Sequence, residues 1–220
     1  MIARLNGDYS KFPQAIRGTF PYVAGSACEL HQFWTVYHRL FMEDRSHTEL
    51  MGKALGGILG IFQTALQESM LLTIARLTDK DNRAQRNLSV WSLREAVPFA
   101  NDPSFSAKVD TALNELVLIA ANIRKHRHKR LAHYDLDVSL KTQQLPTITF
   151  PEIKSFMEKL EGYVNLFFWE FEQTTMPFGM LRTDDVTASA EACVLKARVY
   201  DKLEIAGIIP RGEWLKDRPA

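Results

Sequence analysis

The chain has 220 residues, of which 46% are hydrophobic, enough to bury a full core as one domain with short trimmings. Its 27 basic and 26 acidic residues leave a net charge of +1, which excludes a polybasic coat for nucleic acid and requires any attraction for a polyanion to be local. Two cysteines, Cys28 and Cys193, lie far apart without a ligand-like spacing, which excludes a disulfide framework and points to a reducing compartment.

Residues 1–25 carry Pro13, Gly18, Pro21 and Gly25 without sustained periodicity and read as an irregular lead-in with at most a short turn of helix. The first twenty or so hold no continuous apolar segment with a cleavage site. Ser26 and Glu29 then form a Ser-x-x-Glu capping box, announcing a helix to about Met42 that buries Leu30, Phe33, Trp34, Tyr37 and Phe41 or Leu40. Cys28, His31 and His38 ride on this helix, the histidines as surface or packing residues.

After the polar break Glu43 to Thr48, a second helical stretch contains Gly52, Gly56, Gly57 and Gly60. No strand precedes these glycines and no Lys-Ser or Lys-Thr follows, so a nucleotide loop is not expected. Close helix packing, or a broken first turn before a main helix from about Leu59 to Thr78, accounts for them. The main helix carries Ile61, Phe62, Leu66, Met70, Leu72, Ile74 and Leu77 and is apolar on more than one side. The longest apolar run, Ala54 to Phe62, is too short to span a bilayer, so a cytoplasmic protein without a membrane partner is expected.

Asp79 to Asn87 is a charged connection, Ser89 begins a short helix that Pro98 closes, and Asn101-Asp-Pro-Ser is a turn signal. A long helix from about Ser106 to Ala132 follows, roughly 40 Å in length, and Asp135 to Pro146 reads as a loop. Thr149-Phe-Pro-Glu152 is a second capping box with proline in the first turn. The helix it opens runs to about Gln173, with Ile153, Phe156, Leu160, Val164, Phe167, Phe168 and Phe171 as core or dimer contacts. Pro177 and Gly179 break the chain before a last helix, about Asp184 to Ala206. The expected fold class is all-α, an up-and-down bundle of four to five main helices. The expected segments are an irregular 1–25, a bundle at 26–175, and a C-terminal helix and tail at 176–220 packed on it.

One stretch does not read as packing. In Asn122-Ile-Arg-Lys-His-Arg-His-Lys-Arg-Leu-Ala-His-Tyr-Asp135, every residue from Arg124 to Arg130 is Lys, Arg or His. Cations near a helix C-terminus are favoured by the macrodipole, which accounts for the density but not the spacing. Upstream, Val109, Leu113, Leu116, Ala120 and Ile123 mark one buried face. Arg127 falls within about 20° of that stripe at Ala120, so it is the basic residue that points inward. A guanidinium on a core face requires an internal carboxylate or a bound anion. His133 lies on another face of a straight helix, about 9 Å along the axis. The two converge on one phosphate only if the helix unwinds near Leu131-Ala132 or a second copy supplies the missing half. His126 and His133 share a face but sit about 10 Å apart, beyond the reach of one zinc, and His128 points elsewhere, so no metal is expected.

Arg127-His128-Lys129-Arg130-Leu131-Ala132-His133 resembles the signature of the HEPN superfamily, in which an Arg is followed by Asn, Asp or His and a closing His stands near the end of a long helix. The ordered set Leu30-His31-Gln32-Phe33-Trp34, Ala75-Arg76-Leu77-Thr78-Asp79 and Asn87-Leu88-Ser89 is similar to the abortive-infection branch of that superfamily. The resemblance covers most of residues 26–172 and implies an HEPN-like bundle and a metal-independent ribonuclease whose two subunits line one cleft. Some HEPN toxins carry a Tyr two residues after the His. Here Asp135 takes that place and Tyr134 follows His133 directly, a departure from the pattern used for regulation by Tyr modification.

The resemblance implies a cofactor-free endoribonuclease of a defence or toxin-type system. His133 would be the general base on the ribose 2′-hydroxyl or the acid for the leaving oxygen, Arg127 would hold the scissile phosphate, and His128 would orient Arg127 or touch the phosphate. Arg124, Lys125, Lys129 and Arg130 would track the RNA backbone. The implied partners are RNA, a second copy of the chain and an antitoxin or regulatory protein. The alternative is a catalytically silent helical module, binding RNA or a protein, in which Arg127 pairs with Asp79 or Asp135.

Overall fold

The computed structural model describes residues 4–43, 45–80, 87–96, 102–131, 140, 144–178 and 184–212, and among these every side chain except those at 46, 47, 130, 131 and 184–191. The chain is all-α, with no strand among the described residues. Its helices are α1 (Gln14–Arg17), α2 (Phe20–Phe41), α3 (Arg45–Leu55), α4 (Gly57–Thr78), α5 (Val90–Ala96), α6 (Pro103–Ile119), α7 (Ala121–His126), α8 (Phe150–Glu172) and α9 (Asp184–Ile205), with a π-helical turn at Arg127–Leu131.

Internal contacts divide the chain into two units, each discontinuous in sequence. The first is Met1–Trp34 with Ala65–Leu181, and the second is Thr35–Thr64 with Arg182–Ala220. A reading in three consecutive segments takes no account of this interleaving, because helical periodicity reveals a buried face but not which element covers it.

In the first unit the lead-in is core. Tyr9, Phe12, Ile16 and Phe20 are all buried. Phe12 packs on Phe20, Phe168 and Phe171, with ring centroids 4.6, 6.1 and 5.1 Å away. Phe12 precedes α1, Ile16 lies in it and Phe20 opens α2, so ring contacts and not one helical periodicity bring these residues into the core. Helix α2 accordingly begins at Phe20, six residues before the Ser26–Glu29 box. Ser26 is buried inside the helix, and Pro21 occupies its first turn, where a missing N–H is harmless.

The box at Thr149 does form. Thr149 N–H donates to Glu152 Oε2 (2.7 Å), and Glu152 N–H donates to Thr149 Oγ1 (3.4 Å). Behind this cap α8 buries Ile153, Phe156, Met157, Leu160, Tyr163, Val164, Phe167 and Phe168, and it ends at Gln173 in the left-handed conformation. Phe171 is only half-buried. Helix α8 packs along α6, and Phe105 of α6 meets Phe167 and Phe171. These contacts form the centre of the unit.

In the second unit Tyr37, Met51 and Leu59 are buried among the described residues, and α9 contacts α3. Gly56, with φ +53°, makes the left-handed corner between α3 and α4. A Cβ added at Gly52, Gly57 or Gly60 would meet nothing within 4 Å, so a broken turn, not close packing, explains the glycine cluster. By length and composition α4 could cross a membrane, as Ala54 to Phe62 alone could not. One such helix is weak evidence of a span. Met70, Ile74, Ala75 and Leu77 at its C-terminal end are core residues, whereas Ile58, Ile61, Phe62 and Leu72 are exposed, so most of the helix is not buried.

Candidate functional site

The basic stretch does not continue a single straight helix. Asp102 caps α6, its side chain accepting from Phe105 N–H at 2.8 Å, with Pro103 in the first turn, so the helix starts three residues before Ser106. Phe105, Val109, Leu113, Leu116, Ala120 and Ile123 are all buried, as the stripe requires. At Ala120, ψ is −5°, well away from the ordinary helical value of about −42°. The helix breaks there, resumes as α7, and widens into the π turn from Arg127. The expected unbroken helix to Ala132 is therefore three pieces as far as Leu131. A π turn inside a helix is a local distortion that recurs at functional sites.

Arg127 stands at the end of the buried stripe. Its Nη1 lies 3.2 Å from Asp79 Oδ2, with the two side chains 34% and 20% exposed. The guanidinium is thus neither sunk in the core nor turned into bulk water. A guanidinium has five N–H donors in a fixed fork, so one carboxylate contact does not exhaust it.

Asp79 is held in turn. It directly follows Thr78, the last residue of α4, whose carbonyl would otherwise be one of the orphan acceptors of a helix end. Arg124 Nη1 donates to that carbonyl at 3.0 Å and Trp91 Nε1 donates to it at 3.3 Å. Arg124 Nη2 also donates to Val117 O at 3.3 Å, in the turn before the Ala120 break. Helix α5, which carries Trp91, is fixed from both sides. Tyr163 OH donates to Val90 O at 2.8 Å, and Arg94 pairs with Asp110 of α6. That hydrogen bond holds the Asp110 carboxyl below the usual carboxylate range. Lys80 Nζ lies 4.7 Å from the centre of the Trp91 ring. The end of α4, the start of α5 and the α7–π segment therefore meet around Thr78 and Asp79.

The HEPN_AbiU2 family model, described as AbiU2, matches residues 23–190. The chain belongs to this HEPN family. No curated protein and no solved structure matches it. The matched span contains α3 to α8 and the whole Arg127–His133 motif.

Within this HEPN domain the motif residues separate by environment. Arg127 meets Asp79, His128 and Lys125 are exposed, and Lys129 is half-buried. Arg124, expected along an RNA backbone, instead directs its guanidinium at the carbonyls of Thr78 and Val117, because an uncapped helix end and a helix break both present acceptors within its reach. Arg130 contributes backbone to the π turn, its side chain being outside the described set, and His133, Tyr134 and Asp135 also lie outside the described residues. The His126 ring nitrogen Nε2 is 2.6 Å from Pro146 O, which ties α7 to the strand of chain leading into α8. Among the described residues no three His, Cys, Asp or Glu side chains are grouped as metal ligands.

Two groups elsewhere in the domain, the buried Cys28 and the half-buried His31, are unsuited to be the reactive centre. Burial pushes the Cys28 thiol up to about 11, so it stays protonated and a poor nucleophile at neutral pH. Burial also pushes His31 down to about 4. The sequence named Asp79 as a possible partner of Arg127, but it missed Trp91, Lys80 and the capping role of Arg124. The available signal was the end of α4 at Thr78, since a helix C-terminus needs donors for its last carbonyls.

Proposed function

We propose that this HEPN-family chain is a metal-independent endoribonuclease of a defence or toxin-type system, cleaving RNA at a composite site formed by two copies of the chain. The observation that carries the reading is the placement of Arg127, a guanidinium about a third exposed at the border of core and solvent, on a π turn beside the exposed His128 and within the span that matches the HEPN family. A fixed cation of this kind suits a phosphate whose charge grows in the transition state, because the side chain need not reorganise as the reaction proceeds. Lys lacks the planar fork and is a poor substitute.

In this mechanism His133 removes the proton from a ribose 2′-hydroxyl, or protonates the departing 5′-oxygen, and the imidazole of a second copy supplies the complementary step. The 2′-oxygen attacks phosphorus as the bond to the 5′-oxygen breaks, leaving a 2′,3′-cyclic phosphate and a 5′-hydroxyl. Arg127 holds the non-bridging oxygens, and His128 orients it or shares the phosphate. Lys125, Lys129 and Arg130 follow the backbone on either side. An antitoxin or regulatory protein would restrain such an activity.

A second reading has an observation in its favour. Asp79 already meets the guanidinium, so the pair would suit a silent HEPN module that binds RNA or a protein partner and does not cleave. Incubating the purified protein with mixed RNA in EDTA separates the two. The ribonuclease gives products ending in 2′,3′-cyclic phosphate, which His133→Ala abolishes. Intact RNA at every protein concentration, with the protein folded, leaves the silent module.

A further inference from the structure

We infer that the Trp91 indole is a stacking subsite for an unpaired RNA base next to the phosphate held by Arg127, with Lys80 as its cationic flank. The inference rests on the RNA reading above and names the part of that site which grips a base.

Four observations support it. Trp91 is half-buried and not sealed in the core, so some of its side chain reaches solvent. Its N–H is tethered to Thr78 O at 3.3 Å, and the next residue, Asp79, makes the 3.2 Å contact with Arg127. Consecutive Cα atoms stand about 3.8 Å apart, so indole and guanidinium are linked through two adjacent residues and are held in fixed register. The ring is also carried on a rigid support, because Val90 O accepts from the buried Tyr163 hydroxyl and Arg94 pairs with Asp110. Finally, Lys80 Nζ sits 4.7 Å from the ring centre, while Lys80 itself is exposed.

An aromatic face beside a phosphate-binding cation is what single-stranded nucleic acid uses, since every base has a π face that stacks whatever its identity. A stacked duplex offers no such face. Lys80 reaches the ring on a flexible four-carbon stem, so a base can displace it and leave the ammonium beside the neighbouring phosphate. An indole needed only to cap α4 would require its N–H and its packing. It would not require a ring covered only by the flexible side chain of an exposed lysine. The subsite therefore predicts a preference for unpaired RNA with little regard to sequence.

The test uses the intact protein and a short single-stranded 2′-O-methyl oligoribonucleotide, which cannot be cleaved, with its fully abasic counterpart as control. Binding is read by fluorescence anisotropy of an end label at fixed salt. Wild type is expected to bind the base-bearing strand roughly five- to a hundredfold more tightly than the abasic one. Trp91→Leu should bring the two affinities together, while Trp91→Phe, which keeps a ring but loses the N–H, should preserve most of the difference. Equal affinity of wild type for both strands, or an undiminished difference in Trp91→Leu, overturns the stacking subsite and leaves the phosphate reading in place. Binding of neither strand overturns both. If Trp91→Leu does not fold, Trp91→Met, which keeps bulk without a flat ring face, takes its place and is read in the same way.

Discussion

Helix α8 runs unbroken from Phe150 to Glu172 behind a reciprocal cap and sinks a dense aromatic face into the core. The stretch from Ala121 to Leu131 changes hydrogen-bond register within two turns, and Ile123 is the buried residue of α7. Both have clear sequence patterns, but they answer to different demands. In α8 the cap at Thr149–Glu152 and the left-handed Gln173 bound a helix whose buried residues, Ile153 to Phe168, serve mainly packing. In the α7–π segment the side chains reach outward, to the carbonyls of Thr78, Val117 and Pro146 and to the Asp79 carboxylate. The first region keeps the domain folded, and the second uses the fold to hold cations in place.

That contrast can be broken experimentally. The largest effect belongs to α8. Phe167 is fully buried and its ring meets Phe20, Phe105 and Tyr163. Phe167→Ala should cost about 3–5 kcal/mol in urea unfolding. A loss under about 1 kcal/mol would mean that the aromatic face is not the core. A middle-sized effect is expected where the two regions meet. Arg124→Ala strips the charged donor from Thr78 O and should cost about 1–2 kcal/mol, with any change in RNA binding following indirectly from the loosened end of α4. If that variant unfolds normally but loses one phosphate contact in the salt dependence of RNA binding, Arg124 belongs with the ligand-binding cations.

The smallest effect at neutral pH comes from His31, which packs against Phe178 with ring centroids 4.9 Å apart. Burial lowers its pKa from an ordinary 6.5 to about 4, although the backbone of Met157 partly offsets this. The folded state therefore favours the neutral ring. Its contribution is fully present above the unfolded value, and it is lost as pH falls from 6.5 towards 4 because the unfolded chain takes up the proton first. Melting temperature should decline across that window, and His31→Gln should flatten the slope. An unchanged slope would place the acid sensitivity elsewhere.

Much of this was legible in the chain. The Thr149 cap and the α6 stripe follow from spacing alone, because in each case the relevant partners lie within one helix or its direct continuation. The start of α2 was not, since Ser26 and Glu29 imitate a cap while the burial of Phe12 and Phe20 depends on the distant Phe168 and Phe171. The break at Ala120 and the π turn were hidden for a similar reason. Asp79 could be named as a candidate partner of Arg127, but nothing in a linear pattern says that Arg124, three residues earlier, is committed to a helix end 46 residues away.

The central claim is that the Arg127 guanidinium serves an RNA phosphate and is not merely one half of a structural pair. Arg127→Lys tests it most directly, because Lys keeps the charge opposite Asp79 but loses the planar fork. The measurement is the rate of RNA cleavage in EDTA, with thermal unfolding of the same preparation alongside. The account predicts a rate about a hundred- to a thousandfold lower, with stability changed by no more than about 1 kcal/mol for so accessible a pair. Cleavage at the wild-type rate, or loss of cleavage only in proportion to lost folding, would contradict it.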